Sequence, residues 1–187
     1  MICLQLIDGT KEDYPILTSY SYDKAYKQSI HSSISTDLDI PISAVKQKLT
    51  AFTNGSISGI DKHKHYKQFQ KESDKLRREI LAYVAEHQPD ILRSAIQQSK
   101  KQLPEDVDWF DCTPEDKQYL ARAKSSVFFF VWTYYERLIR KAMLTILPDG
   151  IEVHDAVYSK IEVQTKKIQK KILKDTGFKV KISQFSK

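Results

Sequence analysis

The feature that most constrains the fold is an apolar and aromatic run that ends in charge, SSVFFFVWTYYERLIRKAM at 125–143. At 100° per residue, the side chains of 127–132 cover the whole circumference of a helix, which predicts that other helices enclose this segment. Beyond it the apolar face narrows to one stripe, formed by Val131, Tyr135, Leu138, Ala142 and Ile146. The sequence therefore predicts a mainly α protein, a single helical bundle around one long helix.

Capping residues give the expected bounds of this central helix. Thr113 fits the N-cap, Pro114 fits the first helical position, and two acidic residues follow where the helix dipole favours them. The turn 148–150, Pro-Asp-Gly, ends it. The prediction is a helix over 114–147, about 50 Å long at 1.5 Å per residue, preceded by an acidic linker at 104–113.

The rest of the chain divides into weaker signals. Apolar periodicity, prolines and capping residues predict four further helices, at 42–52, 61–87, 90–102 and 154–175, the last with Gly177 as its C-terminal cap. Segment 1–40 has no clean period and stays unassigned, apart from 2–7. That short β-compatible run and the alternating run 178–185 predict a minor two-stranded element made from the termini. The 187 residues fit one domain.

Composition narrows the class of protein and of partner. Hydrophobic residues make up 41% and charged residues 29%, as in soluble globular proteins. The net charge of +6 favours an anionic partner such as nucleic acid, although a solvated basic surface gives the same number. Two cysteines, no secretory leader pattern and no apolar run of membrane-spanning length predict a cytoplasmic protein without a membrane partner.

The central helix carries a polar stripe whose members suit two interpretations. Glu136 and Arg140 are spaced as an ordinary i,i+4 ion pair on a solvated edge. Alternatively, Arg137 and Arg140 line a cleft and contact phosphates, while Tyr134 or Tyr135 stacks on a base. Both interpretations remain open from the sequence.

Segment 121–143, ARAKSSVFFFVWTYYERLIRKAM, resembles the helix of HEPN-domain proteins, the small helical bundles of many prokaryotic RNases, toxins and phage-defence components. The likeness lies in an apolar run that ends in an aromatic residue and is followed by Glu. It implies a helical bundle that acts on RNA, in a toxin–antitoxin or antiviral defence role. Active members typically carry an Arg, a polar residue and a His a few positions later, whereas Arg140 is followed by KAMLT.

An enzyme of this kind needs a histidine from elsewhere in the chain. The ribonuclease interpretation therefore gives Glu136 and Arg140 the ordering of the site, with His154 or His87 as the group that transfers a proton. Without that histidine, binding or an antitoxin-like role is expected instead.

Two other segments suggest nucleic-acid contacts. In 32–52 the residues Ile34, Leu38, Ile40 and Val45 have the spacing of core positions in a helix-turn-helix, with Asp39 in place of the usual turn glycine. The residues that would then reach DNA are Ser43, Lys46, Gln47 and Lys48. On the last predicted helix, lysines lie opposite an isoleucine stripe and form either a solvated face or a phosphate-binding surface: Lys166, Lys167, Lys170, Lys171 and Lys174.

Metal or cofactor chemistry is not indicated. His63 and His65 form an H-x-H, but on a helix their side chains diverge by about 200°, so surface histidines are expected. The sequence has no phosphate-binding glycine loop, CxxC pair or nucleophilic triad.

Taken together, the patterns predict a nucleic-acid-binding helical protein that prefers RNA to DNA, with a HEPN-like ribonuclease or toxin as its enzymatic version. A helix-turn-helix DNA-binding regulator is the alternative. A third class is a helical protein-interaction module, in which the aromatic helix and the isoleucine stripe of 157, 161, 168 and 172 bury a partner or form a homodimer.

Overall fold

The computed structural model describes residues 2–53, 63–100, 117–153 and 156–182. As predicted, the fold is mainly α. Within these ranges it contains eight helices and one two-stranded antiparallel sheet, in the order α1 (Ile2–Leu6), α2 (Pro15–Tyr22), α3 (Lys24–Leu38), α4 (Ile42–Thr53), α5 (Lys64–His87), α6 (Pro89–Lys100), α7 (Lys117–Leu144), β1 (Ile151–Val153), β2 (Ala156–Tyr158) and α8 (Thr165–Thr176).

The predicted strand at 2–7 is wrong. Residues Ile2–Leu6 form a short helix, which ends where Asp8 adopts φ 50° and the N–H of Gly9 bonds the carbonyl of Leu4 at 2.8 Å. The two ends of the fold nevertheless meet. The Gln5 side chain donates to the Lys179 carbonyl at 2.8 Å and accepts from the Lys179 N–H at 2.7 Å. The Gln5 side chain thus joins the two ends where a pair of strands was expected. Part of the second predicted strand, 183–185, lies outside the described residues.

The unassigned segment folds into α2 and α3, and both helix starts are capped. Asp23 accepts from the Tyr26 N–H at 3.0 Å, as an N-cap residue should. The start of α2 is capped from another helix, because the Glu72 carboxylate on α5 accepts from the N–H groups of Ile16 and Leu17. This long-range cap fixes α2 against α5, which no local pattern in 10–40 shows.

The helices predicted in the middle of the chain are confirmed as α4, α5 and α6. Helix α7 is the central helix, and its described part spans about 42 Å. It packs against α6 on one side and α8 on another. The predicted cap at Thr113 and Pro114, and the acidic linker, lie outside the described residues.

The central helix is less enclosed than predicted. Val127, Phe128 and Val131 are buried, but the side chain of Phe129 is 41% exposed. The reason is that α6 and α8 cover only part of the circumference, so complete enclosure of 127–132 is wrong. Tyr135 and Ala142 on the predicted apolar face are buried as expected.

The helix predicted for 154–175 begins eleven residues late, at Thr165. Before it, β1 and β2 form a hairpin in which Ile151 pairs with Tyr158. The β-branched residues that follow the 148–150 turn favour this extended pairing over a helix. The Asp149 carboxylate secures the loop after the hairpin by accepting from Ser159 Oγ and from the Lys160 N–H. Gly177, at φ 76°, ends α8 as predicted.

The buried residues form two clusters that share α5. The N-terminal core contains Leu4, Tyr14, Leu17, Ile30, Ile34, Val45, Leu49, Tyr66 and Phe69. The C-terminal core contains Ile80, Val84, Ala95, Val127, Phe128, Val131, Tyr135, Ile139, Ala142, Leu147, Ile168, Ile172 and Phe178. The first half of α5 therefore belongs to one core and its second half to the other.

Among the described residues, no helix combines the length and apolarity that crossing a bilayer requires.

Candidate nucleic-acid interface

Arg140 lies between two carboxylates. Its Nε is 3.0 Å from Glu152 Oε2 on β1, and its Nη1 is 3.8 Å from Glu136 Oε2 one turn earlier on α7. The side chain is only 15% exposed. The i,i+4 contact between Glu136 and Arg140 is therefore confirmed, but the solvated edge is wrong, since the Glu136 side chain is only 27% exposed as well. Because the guanidinium charge is balanced within the fold, a phosphate-binding role for Arg140 has no support from this geometry.

Arg137 and Tyr134 line a groove between α6 and α7, and Arg140 is not among its lining residues. This groove has a volume of about 260 Å³, below the roughly 300–1,000 Å³ of most small-molecule sites. Tyr134 is 40% exposed and Arg137 is exposed. Its other lining residues are Asp90, Ile91, Ser94, Ala95, Gln98, Phe130 and Thr133. The two arginines that the cleft interpretation grouped together thus have different surroundings, since Arg137 lines the groove and Arg140 is paired with two carboxylates.

The catalytic candidates do not come together in the described residues. His87 is at the end of α5, with its ring stacked on Tyr83 at 4.5 Å and its Nδ1 3.0 Å from the Tyr83 carbonyl oxygen. Its contacts are made within α5, while Glu136 and Arg140 pair with each other and with the hairpin. His154 lies outside the described residues.

The surface of α8 that faces solvent is basic. Lys166, Lys167, Lys170 and Lys174 are exposed, and none of them forms an ion pair within the described ranges; we call them the lysine face. Lys171, predicted as their fifth member, is held by Asp175 at 2.7 Å, so its charge is compensated. The lysine face lies opposite Ile168 and Ile172, which are buried in the C-terminal core.

The burial of those isoleucines also bears on the interaction-module alternative. Ile168 and Ile172 are covered by the chain itself, Val157 lies in β2, and Ile161 lies in the loop before α8. The predicted isoleucine stripe is therefore not one exposed surface, and a partner cannot dock on it as a unit.

Helices α3 and α4 are joined by a short turn, as the helix-turn-helix interpretation predicts. Asp39 adopts the left-handed conformation, φ 50° and ψ 48°, that is usual for glycine in such turns. The N–H of Ile40 bonds the Ser35 carbonyl at 3.1 Å, and Ser35 Oγ donates to the Ile40 carbonyl at 2.6 Å. Ile34 and Val45 are fully buried, as core positions of the motif.

The predicted DNA-contacting residues of α4 are placed unequally. Ser43, Lys46 and Gln47 are exposed, whereas Lys48 is half-buried. Lys46 lies close enough to the buried His31 of α3 to affect its charge, as does Lys27. Burial lowers the pKa of His31, and these two lysines lower it further. Lys27 on α3 and Lys46 on α4 are thus both exposed and both close to His31.

The prediction of surface histidines is wrong for His63. It is 8% exposed, its Nδ1 accepts from the His65 N–H at the start of α5, and its Nε2 is 2.6 Å from Asp37 Oδ2 on α3. His63 is thus a buried helix cap that ties α5 to α3. Within the described part of the chain, no group of three His, Cys, Asp or Glu side chains could hold a metal ion.

The sequence interpretation missed a second basic surface, on α5. Lys64, Lys67, Lys71 and Arg78 follow one another at helical spacing on the exposed side of the helix. The signal was present in the sequence, since offsets of three, seven and fourteen residues return to the same face of a helix. The sequence prediction for α5 rested on the apolar stripe alone, which lies on the buried side of this helix.

A comparison of the chain with protein-family models, with characterised proteins and with solved structures gives no significant match. The site geometry is therefore the basis for the functional inference.

Proposed function

We propose that this protein binds nucleic acid, and RNA in preference to DNA, through the lysine face of α8. The observation that carries the proposal is the set of four exposed lysines without an acidic partner among the described residues. Cations on one side of a rigid helix attract a phosphate backbone by releasing its condensed counterions. Lysines as point charges supply affinity with little sequence preference.

The groove between α6 and α7 supports the preference for RNA. Exposed Tyr134 offers a ring face beside the guanidinium of Arg137. Proteins that bind single-stranded RNA stack unpaired bases on such aromatic and guanidinium planes. Asp90, Ser94 and Gln98 also line this groove of about 260 Å³ and supply polar atoms to it.

The test compares two variants that lose the same charge. Replacing Lys166, Lys170 and Lys174 by Gln should weaken binding to single-stranded RNA. The slope of log affinity against log salt should fall by about 2, at roughly 0.7 per lost phosphate contact. The control replaces Lys11, Lys100 and Lys160, which are exposed and lie on other elements. Fluorescence anisotropy with a labelled RNA, read at several salt concentrations, measures both.

The proposal fails if wild type shows no salt-dependent binding, or if the control variant loses as much as the lysine-face variant. For the preference, Tyr134→Ala should weaken binding to single-stranded RNA more than to a DNA duplex, in which the bases are stacked and cannot reach the groove. If Tyr134→Ala weakened binding to the RNA and to the DNA duplex equally, Tyr134 would not stack on a base.

Cleavage remains a separate prediction, derived from the HEPN resemblance. It is tested by incubating total RNA with wild type and with His87→Ala and His154→Ala. Degradation that only wild type produces would make the protein a ribonuclease, and intact RNA in every reaction would leave a binding protein.

A helix-turn-helix DNA-binding regulator is the second candidate, and the left-handed turn at Asp39 favours it. This turn brings α4 out of α3 with Ser43, Lys46 and Gln47 on its exposed side. In that arrangement the start of α4 would enter the major groove.

The two kinds of contact on α4 have different signatures. Gln47→Ala should relax base preference at one position, whereas Lys46→Ala should weaken binding evenly across sequences. Selection of bound duplexes from a random DNA pool measures both. If wild type enriched no sequence from the pool, the helix-turn-helix candidate would be eliminated. The proposal for the lysine face would not be affected.

A further inference from the structure

A row of cations lies along the outer face of α5. Lys64, Lys67, Lys71 and Arg78 are exposed, and Lys75 lies among them half-buried. At 100° and 1.5 Å per residue these side chains stay within about 80° of the helix circumference over about 21 Å. The opposite side of the helix is buried through Tyr66, Phe69, Ile80 and Val84. We call the four exposed members the basic row.

The neighbouring acidic side chains are engaged elsewhere. Glu72 accepts from the N-terminal N–H groups of α2, and Asp74 pairs with Arg77. Glu79 accepts from the Tyr14 hydroxyl and lies 3.8 Å from Lys75. Lys75 is further held over the Tyr14 ring, at 4.6 Å from its centroid. Within the described residues, the basic row is left without an ion pair.

We propose that the basic row is a second phosphate-binding surface, fitted to the backbone of a nucleic-acid duplex. A duplex presents one phosphate per 3.4 Å of axis on each strand, so the roughly 21 Å row has at least one phosphate within reach of each of its four cations. The 24-residue helix keeps these four cations on one side of a rigid rod.

Two features of the same face select the duplex over other anionic partners. The exposed large apolar residues of the described chain include none on α5. Sites for single strands add aromatic side chains on which bases stack, as proposed for Tyr134 in the groove between α6 and α7, and lipid-binding surfaces add apolar side chains that insert among the acyl chains. A face of cations alone contacts phosphates without reaching bases, so its binding has no sequence preference.

This inference concerns a different surface from the lysine face, and the two can fail separately. The test replaces Lys64, Lys67, Lys71 and Arg78 by Gln. Binding to a DNA duplex of arbitrary sequence is then measured between low and moderate salt. The slope of log affinity against log salt should fall by about 3 to 4, at roughly 0.9 per phosphate contact.

A charge-matched control replaces Lys11, Lys24, Lys100 and Lys160, which are exposed and lie off α5. It should keep most of the slope. Thermal unfolding of both variants should match wild type, since every replaced side chain is exposed. Affinity for single-stranded RNA, measured in parallel, should depend more on the lysine face than on the basic row.

Three results would overturn the inference. The first is an unchanged duplex slope in the basic-row variant, and the second is an equal loss in the control. The third is wild-type binding to phosphatidylserine vesicles that the basic-row variant loses while its duplex binding stays intact. If the lysine-face variant lost RNA binding but kept the wild-type slope with the DNA duplex, the two surfaces would bind independently.

Discussion

At the scale of single residues, the fold decides which charges remain available. Arg140, Lys171 and Lys75 are each tied to a carboxylate, whereas Arg137, Lys170 and Lys71 are exposed. Exposed pairs contribute little to stability, but they cancel the field that a phosphate would meet. Neighbouring residues of the same type on one helix therefore have different capacities for binding.

His31 gives the clearest pH-dependent prediction. Its Nε2 is 2.8 Å from the Tyr20 hydroxyl, and burial, then Lys27 and Lys46, lower its pKa below 6.5. Since the unfolded chain binds the proton more readily, the free energy of unfolding should be highest above about pH 6.5 and should fall as the pH drops through the lowered pKa.

The variant His31→Gln removes this titration. It should cost about 1 kcal/mol at pH 7 through the altered hydrogen bond to Tyr20, and the difference from wild type should shrink towards pH 5. Urea unfolding at pH 5, 6 and 7 measures both proteins. A constant difference between wild type and His31→Gln would show that His31 does not titrate in this range.

Some site residues could be predicted and others could not. The lysine face was found because its members share one helix, and helical spacing is local information. The partner of Arg140 was missed, because Glu152 belongs to a hairpin whose second strand was predicted to be the start of a helix. The role of His63 was also missed, since the carboxylate of Asp37 reaches it from another helix.

At the scale of elements, local signals succeeded where caps and prolines stand beside a long amphipathic run. Helices α4, α5 and α6 have such signals and were predicted within a few residues. The strand prediction for 2–7 was wrong because tertiary packing decides the conformation of this segment. Leu4 packs into the N-terminal core, while Ile2 and Leu6 pack against the C-terminal core, so helix α1 has contacts on several sides. Packing of this kind overrides a weak β propensity.

The turn between α3 and α4 gives a prediction at this scale. Asp39 is left-handed and places a negative charge at the C-terminal end of α3, and both features are unfavourable. Asp39→Gly should therefore stabilise the protein by about 0.5 to 1 kcal/mol.

Asp23→Gly is the matched control, because Asp23 caps the start of the same helix with ordinary φ −106°. It should destabilise by a few tenths of a kcal/mol. Thermal or urea unfolding compares the two. If Asp39→Gly were less stable than wild type, contacts of the Asp39 side chain would stabilise the fold by more than its left-handed conformation destabilises it.

At the scale of the whole molecule, the two cores are joined through one helix. Tyr66 and Phe69 at the start of α5 are buried in the N-terminal core, and Ile80 and Val84 near its end are buried in the C-terminal core. A continuous helix cannot lose one half without exposing hydrogen bonds of the other. The single domain predicted from the chain length is therefore expected to unfold in one step.

One-step unfolding can be tested with a fluorescent residue in one core and a destabilising substitution in the other. In a Trp109→Phe background, Trp132 on α7 is the remaining tryptophan and reports on the C-terminal half. Leu49→Ala in the N-terminal core should cost 2–5 kcal/mol and should lower the denaturation midpoint seen by Trp132 fluorescence as much as the midpoint seen by circular dichroism. A fluorescence midpoint that Leu49→Ala leaves in place would mean that the halves unfold independently.

The N-terminal core has a further consequence for a chain that is being synthesised. All nine of its buried residues lie between Leu4 and Phe69, so they have left the ribosome before α7 is translated. The nascent first half can bring them into contact early, but the N-terminal core becomes fully stable only when the second half of α5 is packed as well. The later half of α5 then protrudes with Ile80 and Val84 uncovered until α7 arrives, and at that stage the growing chain is most exposed to chaperones and proteases.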